Sequence, residues 1–155
     1  MTQNANPGAP ALRAPGRAGL IVATTVAVAL VLNLAIYAVG RALGGDFRFT
    51  AEGRPAEVDG ITLVGFTSVP LLVGMTLVAL LSRIWRWVIA VAMVVAPALA
   101  LVTVPIMTIP ADLDEASTIT LALCHIALVP VTLTGLLVLR ALRQEPTLAQ
   151  TPQNS

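Results

Sequence analysis

The stretch AGLIVATTVAVALVLNLAIYAVG, residues 18–40, decides the fold, because its 23 consecutive residues carry no charged side chain. An α-helix rises about 1.5 Å per residue, so a helix of this length crosses a hydrocarbon core of about 30 Å. A cleaved secretory signal would have a shorter apolar region, of about 7 to 15 residues. We therefore interpret residues 18–40 as an uncleaved membrane-spanning helix.

Three more apolar segments follow, at residues 61–82, 87–110 and 116–139, and none contains Asp, Glu, Lys or Arg. Only 11% of the 155 residues are charged, against about a quarter in an ordinary soluble domain. The sequence thus predicts an all-α, antiparallel four-helix membrane bundle over residues 18–140, with one longer extracytoplasmic loop. The tails, residues 1–17 and 141–155, are rich in small and polar residues and are expected to be disordered and cytoplasmic.

The segments between the helices are polar. Residues 41–60 hold seven charges in twenty positions, and within them Phe47 and Phe49 alternate with polar residues. That alternation could form one arm of a small hairpin, but we favour both rings as anchors among the lipid headgroups. An acidic turn precedes the fourth helix, where carboxylates can cap free backbone N–H groups; we prefer capping to a divalent-cation site. The acidic turn comprises Asp112, Asp114 and Glu115.

The distribution of arginine predicts the orientation. With four spans both termini share one side, and placing the tails and the turn between the second and third helices in the cytoplasm gives six arginines inside and three outside. This bias follows the positive-inside rule for short loops. We therefore expect a multi-pass protein of the cell membrane with both termini cytoplasmic. The inner set is Arg13, Arg17, Arg83, Arg86, Arg140 and Arg143, and the outer set is Arg41, Arg48 and Arg54.

Several function classes are disfavoured. Proton-coupled carriers, pumps and voltage sensors normally need an ionisable group inside the membrane, and the spans lack the carboxylate on which small multidrug carriers depend. A single cysteine, Cys124, allows no intrachain disulfide or thiolate metal site. The chain has no basic run, so nucleic-acid binding is not expected. No catalytic, metal or cofactor-binding motif is present, and we expect neither a cofactor nor an enzymatic activity.

One polar level crosses all four predicted helices. Asn33 and His125 both lie roughly 10 to 14 Å below the outer surface at 1.5 Å per residue, and Ser68 and Thr103 fall at similar depths. We favour a structural interpretation, in which these side chains form hydrogen bonds between helices. In the alternative, Asn33 and His125 line a small cavity open to the outside, where His125 titrates or binds a ligand.

Small residues predict close helix packing. Gly40 and Gly44 have small-xxx-small spacing but lie at a loop boundary, where they are weak evidence for a dimer motif. The alanines with the same spacing inside the spans are Ala23 and Ala27 on the first helix and Ala92, Ala96 and Ala100 on the third.

Three segments carry a resemblance to a known family. They are RALGGDFRFT (41–50), VTVPIMTIPADLDEAST (102–118) and ITLALCHIALVPVTL (119–133). They resemble a family of small actinobacterial four-span membrane proteins classed as domain of unknown function 6069, and the likeness covers about Ala18 to Arg140. Members similar to this chain commonly have Met-His where it has Cys124-His125, which argues against a necessary thiol. The resemblance implies four spans and no known activity.

Three functions stay open. The first is a non-enzymatic protein that contacts another membrane component, which could be a membrane-protein partner or a second copy, with the lipid bilayer around it. The second is a small-molecule or ion carrier or channel that uses the polar level around His125. The third is a membrane enzyme or cofactor subunit, which would need convergent acid, base or metal-ligand residues that the sequence does not display. We favour the first.

Overall fold

Four long helices and one short hairpin form the protein in a computed structural model that describes residues 14–144. All four helices are long and apolar enough to cross a membrane. The elements are α1 (Ala14–Ala42), β1 (Arg48–Ala51), β2 (Arg54–Glu57), α2 (Gly60–Leu81), α3 (Val88–Thr103) continued by a π-helical turn (Val104–Thr108), and α4 (Glu115–Gln144).

The helix boundaries differ from the sequence prediction at the two tails. Residues 14–17 are helical in α1 and residues 141–144 are helical in α4, although both segments were expected in disordered tails. The remaining tail residues, 1–13 and 145–155, lie outside the described residues. We call the end with residues 14, 82–87 and 144 the terminal end, and the opposite end the hairpin end.

The third span is not a uniform α-helix. At its hairpin end the Ile109 N–H donates to the Val104 carbonyl at 2.9 Å, which closes a π-helical turn. Pro105 lies inside this turn. Proline has no N–H and its ring clashes with the carbonyl four residues earlier, so the regular hydrogen-bond ladder cannot continue through Pro105. The wider turn is the resulting adjustment.

The helices pack in the order α2, α1, α4, α3, with extensive contacts between successive members and slight contact between α2 and α3. At the terminal end all four helices share one apolar cluster, to which α3 contributes Ile89 and α4 contributes Leu136 and Leu139. At the hairpin end a second cluster joins α1, α2, α4 and the hairpin without α3. The third helix therefore takes no part in the second apolar cluster, although Thr108 at its hairpin end is buried.

Two glycine contacts bring α1 and α4 close together. A Cβ at Gly40 would lie 2.8 Å from the Thr120 Cβ, and one at Gly135 would lie 2.9 Å from the Thr25 Cγ2. Each threonine hydroxyl donates to a carbonyl of its own helix, so its side chain stays compact against the glycine. Small residues allow this approach because lipid itself provides no hydrophobic drive between helices.

The hairpin is formed, and the buried position of Phe47 corrects our preferred prediction of a headgroup anchor for that ring, whereas Phe49 is half-buried on β1. Strands β1 and β2 are antiparallel with Arg48 opposite Glu57. Glu52 and Gly53 have φ values of 52° and 76°, the positive range that a tight two-residue hairpin turn requires. Phe47 is fully buried beneath the hairpin. The ring packs on the bundle because its backbone, also at positive φ (56°), turns the side chain inward.

Candidate functional site

The polar level centres on Asn33, which is 2% exposed. Its Nδ2 donates to the Oγ1 of Thr67 on α2 at 3.0 Å, and this bond joins two helices inside the membrane. The Asn33 Oδ1 is buried and has no hydrogen-bond partner among residues 14–144. The thiol of Cys124 on α4 lies 3.8 Å from the Asn33 backbone carbonyl. Asn33 therefore contacts both neighbours of α1 at one depth.

The other three predicted residues bond within their own helices. The Ser68 hydroxyl donates to the Val64 carbonyl at 2.6 Å, and the Thr103 hydroxyl donates to the Leu99 carbonyl at 2.7 Å. His125 Nδ1 lies 2.8 Å from the Leu121 carbonyl. Each of these bonds goes to the carbonyl four residues earlier in the same helix. The bond satisfies the polar group, so the group needs no partner on a neighbouring helix. The structure thus does not join Asn33, Ser68, Thr103 and His125 in one network.

His125 has a defined tautomer. A carbonyl only accepts, so the proton of the neutral ring lies on Nδ1 and the lone pair of Nε2 is available. The side chain is half-buried, whereas that of neighbouring Cys124 is 2% exposed. The ring therefore keeps an acceptor nitrogen near the bundle surface.

Thr67 is the functional partner that the sequence prediction missed, since it named Ser68. The two residues differ by about 100° around the helix, which decides which of them meets α1. A pattern of positions four or eight residues apart could have identified Thr67. Leu63, Thr67, Met75 and Ala79 follow this pattern, and all are buried on one face of α2.

A second set of polar contacts fixes the hairpin to the bundle through two aspartates. Asp112 accepts from the Thr50 N–H at 2.6 Å and from the Thr50 hydroxyl at 2.7 Å. These donors lower the pKa of Asp112 below its usual 3.8. Asp114 accepts from the Asp46 N–H at 3.2 Å. The loop before α4 is therefore attached to both the start and the middle of the hairpin segment.

Asp114 also caps α4, as the sequence predicted for the acidic turn. It accepts from the Ser117 N–H at 2.9 Å and from the Ser117 hydroxyl. The hydrogen bonds from Ser117, followed by those from Asp46, lower the pKa of Asp114. Ser117 Oγ in turn accepts from the Phe47 N–H at 2.8 Å. The side chains of Asp114 and Ser117 thus both cap α4 and attach the hairpin segment.

Aromatic and cationic groups hold the other side of the hairpin. The Tyr37 and Phe47 ring centres are 4.5 Å apart, and the Tyr37 hydroxyl donates to the Val58 carbonyl at 3.0 Å. The Arg41 guanidinium lies 5.8 Å from the Tyr37 ring centre and 5.7 Å from that of Phe47. Its nitrogens donate to the Asp46 carbonyl and to Glu57 at 2.9 Å and 3.1 Å. The hairpin is therefore anchored along both of its edges.

Two grooves lie between α1 and α4. A groove of about 690 Å³ lies toward the hairpin end and is lined by Ile36, Gly40, Thr120 and Leu123, among others. A groove of about 460 Å³ lies toward the terminal end. Neither is lined by a residue of the predicted polar level. In the part of the chain that the structure covers, no group of three or more His, Cys, Asp or Glu side chains could hold a metal ion.

These features define a small multi-pass membrane protein with a four-helix bundle and a hairpin fixed over one end. A family profile described as a family of unknown function (DUF6069) matches residues 13–144, and the chain belongs to this family. The profile confirms the resemblance found in the sequence, but it does not show an actinobacterial origin. Comparison with curated proteins gives no match, and comparison with solved structures gives none.

Proposed function

We propose that the protein is a non-enzymatic component of the cell membrane that acts by contact with another membrane component, through the outward surface of α3. The exposure of α3 carries this proposal. Only 6% of its most apolar window is buried inside the bundle, against 22% to 28% for the other three helices. A partner helix could cover this surface without disturbing the core.

The shape of the bundle supports α3 as the contact element. The described contacts of α3 are mainly with α4, and its contact with α2 is slight. Large apolar side chains of α3 are exposed at several positions around the helix, including Val94, Leu99 and Ile106 at 71%, 60% and 66% exposure. Exposed apolar surface is ordinary in lipid, and α2 also has one extensive helix neighbour, so the low buried share of α3 is its distinguishing feature.

Photo-crosslinking tests this proposal. A diazirine amino acid at Leu99 should give a discrete product of higher mass in native membranes, because it sits on the exposed face of α3. The matched control is Val31 on α1, which is 70% exposed near the middle of its helix and should give only lipid adducts. Absence of a Leu99 product, or the same products from both positions, would overturn the proposal.

Orientation belongs to the same proposal. We infer that both termini lie in the cytoplasm, because six of the nine arginines but only one of the eight acidic residues belong to the tails and the turn between α2 and α3. Short loops rich in arginine stay on the cytoplasmic side. The hairpin is then outside the cell, where a membrane partner or ligand would meet it.

A carrier or channel is the second candidate, and the unpaired Oδ1 of Asn33 favours it. A buried polar atom without a partner is costly, and such atoms mark ligand or water sites in some proteins. Proteoliposomes that contain a pH-sensitive dye, under a potassium diffusion potential, would report proton flux. Flux that His125→Leu and Asn33→Leu abolish with folding intact would support this candidate, and flux unchanged by both would remove it.

A further inference from the structure

Arg143 is the most constrained charged side chain at the terminal end. It lies near the end of α4, and its Nη2 donates across to the Ala79 carbonyl in the last turn of α2 at 2.7 Å. The Ser82 hydroxyl donates to the same carbonyl at 3.2 Å. The Nε of Arg143 is buried and has no partner within residues 14–144. A guanidinium carries five N–H donors, so this contact leaves most of them for another acceptor.

The charge around Arg143 is uncompensated by the described residues. Arg83 directly follows Ser82, whose hydroxyl shares the Ala79 carbonyl with Arg143, so both arginines lie at the same end of α2. Every Asp and Glu between residues 14 and 144 lies in residues 46–59 or 112–115, at the hairpin end. Two cations held near each other without a counterion repel, and an anion that bridges them removes that cost. Arg86 and Arg140 lie at the same end of the molecule but outside this pair.

Two tryptophans fix the depth of this surface. Trp85 and Trp87 lie in the turn between α2 and α3, with ring centres 6.5 Å apart and exposures of 49% and 62%. Tryptophan is enriched where hydrocarbon meets the lipid headgroups. Arg83, two residues before Trp85, therefore lies at headgroup level, and the guanidinium of Arg143 contacts Ala79, about one helical turn before Arg83.

We propose that the terminal end binds the phosphate group of an anionic phospholipid between the guanidinium groups of Arg83 and Arg143. Phosphate oxygens accept paired N–H bonds from a guanidinium, which fits the free donors of Arg143. Basic pockets between membrane helices recognise anionic headgroups in this way. The acyl chains would lie along the apolar helices next to the site. This inference uses neither the outward surface of α3 nor the polar level, so it is independent of the proposed function.

The test measures lipid-dependent stability of the full chain. Nanodiscs of phosphatidylcholine alone are compared with nanodiscs that contain increasing phosphatidylglycerol, and thermal unfolding is followed in each. The wild type should gain stability with phosphatidylglycerol. Arg83→Gln should weaken the apparent affinity by about tenfold, the loss expected for one charge-assisted hydrogen-bonding group. Arg143→Gln should do the same but also lose its bond to α2, which makes Arg83→Gln the cleaner variant.

Three controls make the outcome decisive. Arg140→Gln removes an equal charge from an exposed position one turn earlier on α4, and it should keep the lipid response. Glu145→Gln removes the acidic residue nearest in sequence, which lies beyond the described residues, and should also keep it. An equal loss from Arg140→Gln would show general charge attraction and overturn the site. Equal stabilisation by inorganic phosphate in lipid-free detergent would assign a free-anion site and overturn the lipid.

Discussion

At the residue scale, the bond between Asn33 and Thr67 joins two polar side chains of neighbouring spans. A buried amide in lipid is expensive unless it is paired, and here one end is paired and the other is not. Thr67 is therefore important for stability, because its loss would leave the whole Asn33 side-chain amide without a hydrogen bond. The consequence is an asymmetry between removing one partner and removing both.

Thr67→Val should therefore lower the free energy of unfolding by about 1 to 2 kcal/mol, because it leaves the Asn33 amide buried without a partner. The double variant Asn33→Leu with Thr67→Val should recover most of that loss, since no polar group is then stranded. Ser68→Ala is the matched control, because its hydroxyl bonds only its own helix. Steric-trap unfolding in bicelles measures the free energy of unfolding of each variant. If the losses caused by Asn33→Leu and Thr67→Val alone simply added up in the double variant, the role of the bond would be contradicted.

The residues also show how far the sequence could predict the site. Depth along a helix follows from counting, so Asn33 was found at the level where it forms its bond. The direction in which a side chain points depends on which neighbour its helix meets. The sequence does not show this neighbour, and for that reason Ser68 was named instead of the adjacent Thr67. Phe47 was mistaken for a headgroup anchor because its inward orientation depends on a positive φ and on Ser117, 70 residues away in sequence.

At the element scale, α1 and α4 form a regular antiparallel pair. Fifteen residues separate Thr25 from Gly40 on α1, and fifteen separate Thr120 from Gly135 on α4, so each threonine meets a glycine across the interface. The sequence prediction placed close packing at Ala23 and Ala27, which are instead exposed. It judged Gly40 only as part of a dimer motif, because small-residue spacing does not reveal which helix is the neighbour.

Gly40→Ala and Gly135→Ala should each lower the free energy of unfolding by about 1 to 3 kcal/mol, because the added Cβ overlaps a threonine and forces the helices apart. Gly65→Ala on α2 is the control: a Cβ there meets nothing within 4 Å, and alanine favours a helix by about 1 kcal/mol over glycine. Thr120→Ala should relieve Gly40→Ala only in part, because the Thr120 Cβ at 2.8 Å remains, and it should leave Gly135→Ala unchanged. Equal effects at Gly40 and Gly65 would contradict the close contact.

The hairpin is an element whose attachment should depend on pH. The pKa values of Asp112 and Asp114 are lowered by donors from Thr50 and Ser117, so the ionised carboxylates favour the attached state. That contribution is complete above the ordinary value of 3.8 and is lost as pH falls below it toward the lowered pKa values. Hydrogen exchange of residues 46–50, corrected for intrinsic rate, should increase in that range while the helices stay protected.

Asp112→Asn should produce part of the same change at neutral pH, because a neutral amide oxygen accepts weaker bonds from Thr50. Asp59→Asn is the comparison, since Asp59 accepts from the Thr62 N–H at the start of α2 and does not bind the hairpin. Its exchange at residues 46–50 should match the wild type. Unchanged exchange in Asp112→Asn would show that the aromatic side of the hairpin is sufficient for attachment.

At the scale of the whole molecule, the number of spans and their helical nature were predicted because long uncharged segments have one solution in a bilayer. The order in which the helices neighbour one another was not predicted. All four helices are apolar on every side, so no apolar stripe indicates which face points inward. For the same reason the sequence does not show that α3 joins the apolar cluster at the terminal end and not the one at the hairpin end.

The distribution of charge along the whole chain predicts the orientation of the protein in the membrane. Six of the nine arginines belong to the segments of the terminal end and seven of the eight carboxylates to those of the hairpin end, so insertion should leave the hairpin outside. Glu52→Cys lies on the exposed hairpin turn and should react with a membrane-impermeant maleimide in intact cells, whereas Gln144→Cys should react only after permeabilisation. Native Cys124 is 2% exposed and provides the unreactive background. The reverse labelling pattern would invert the orientation, and it would place the lipid site of Arg83 and Arg143 in the outer leaflet.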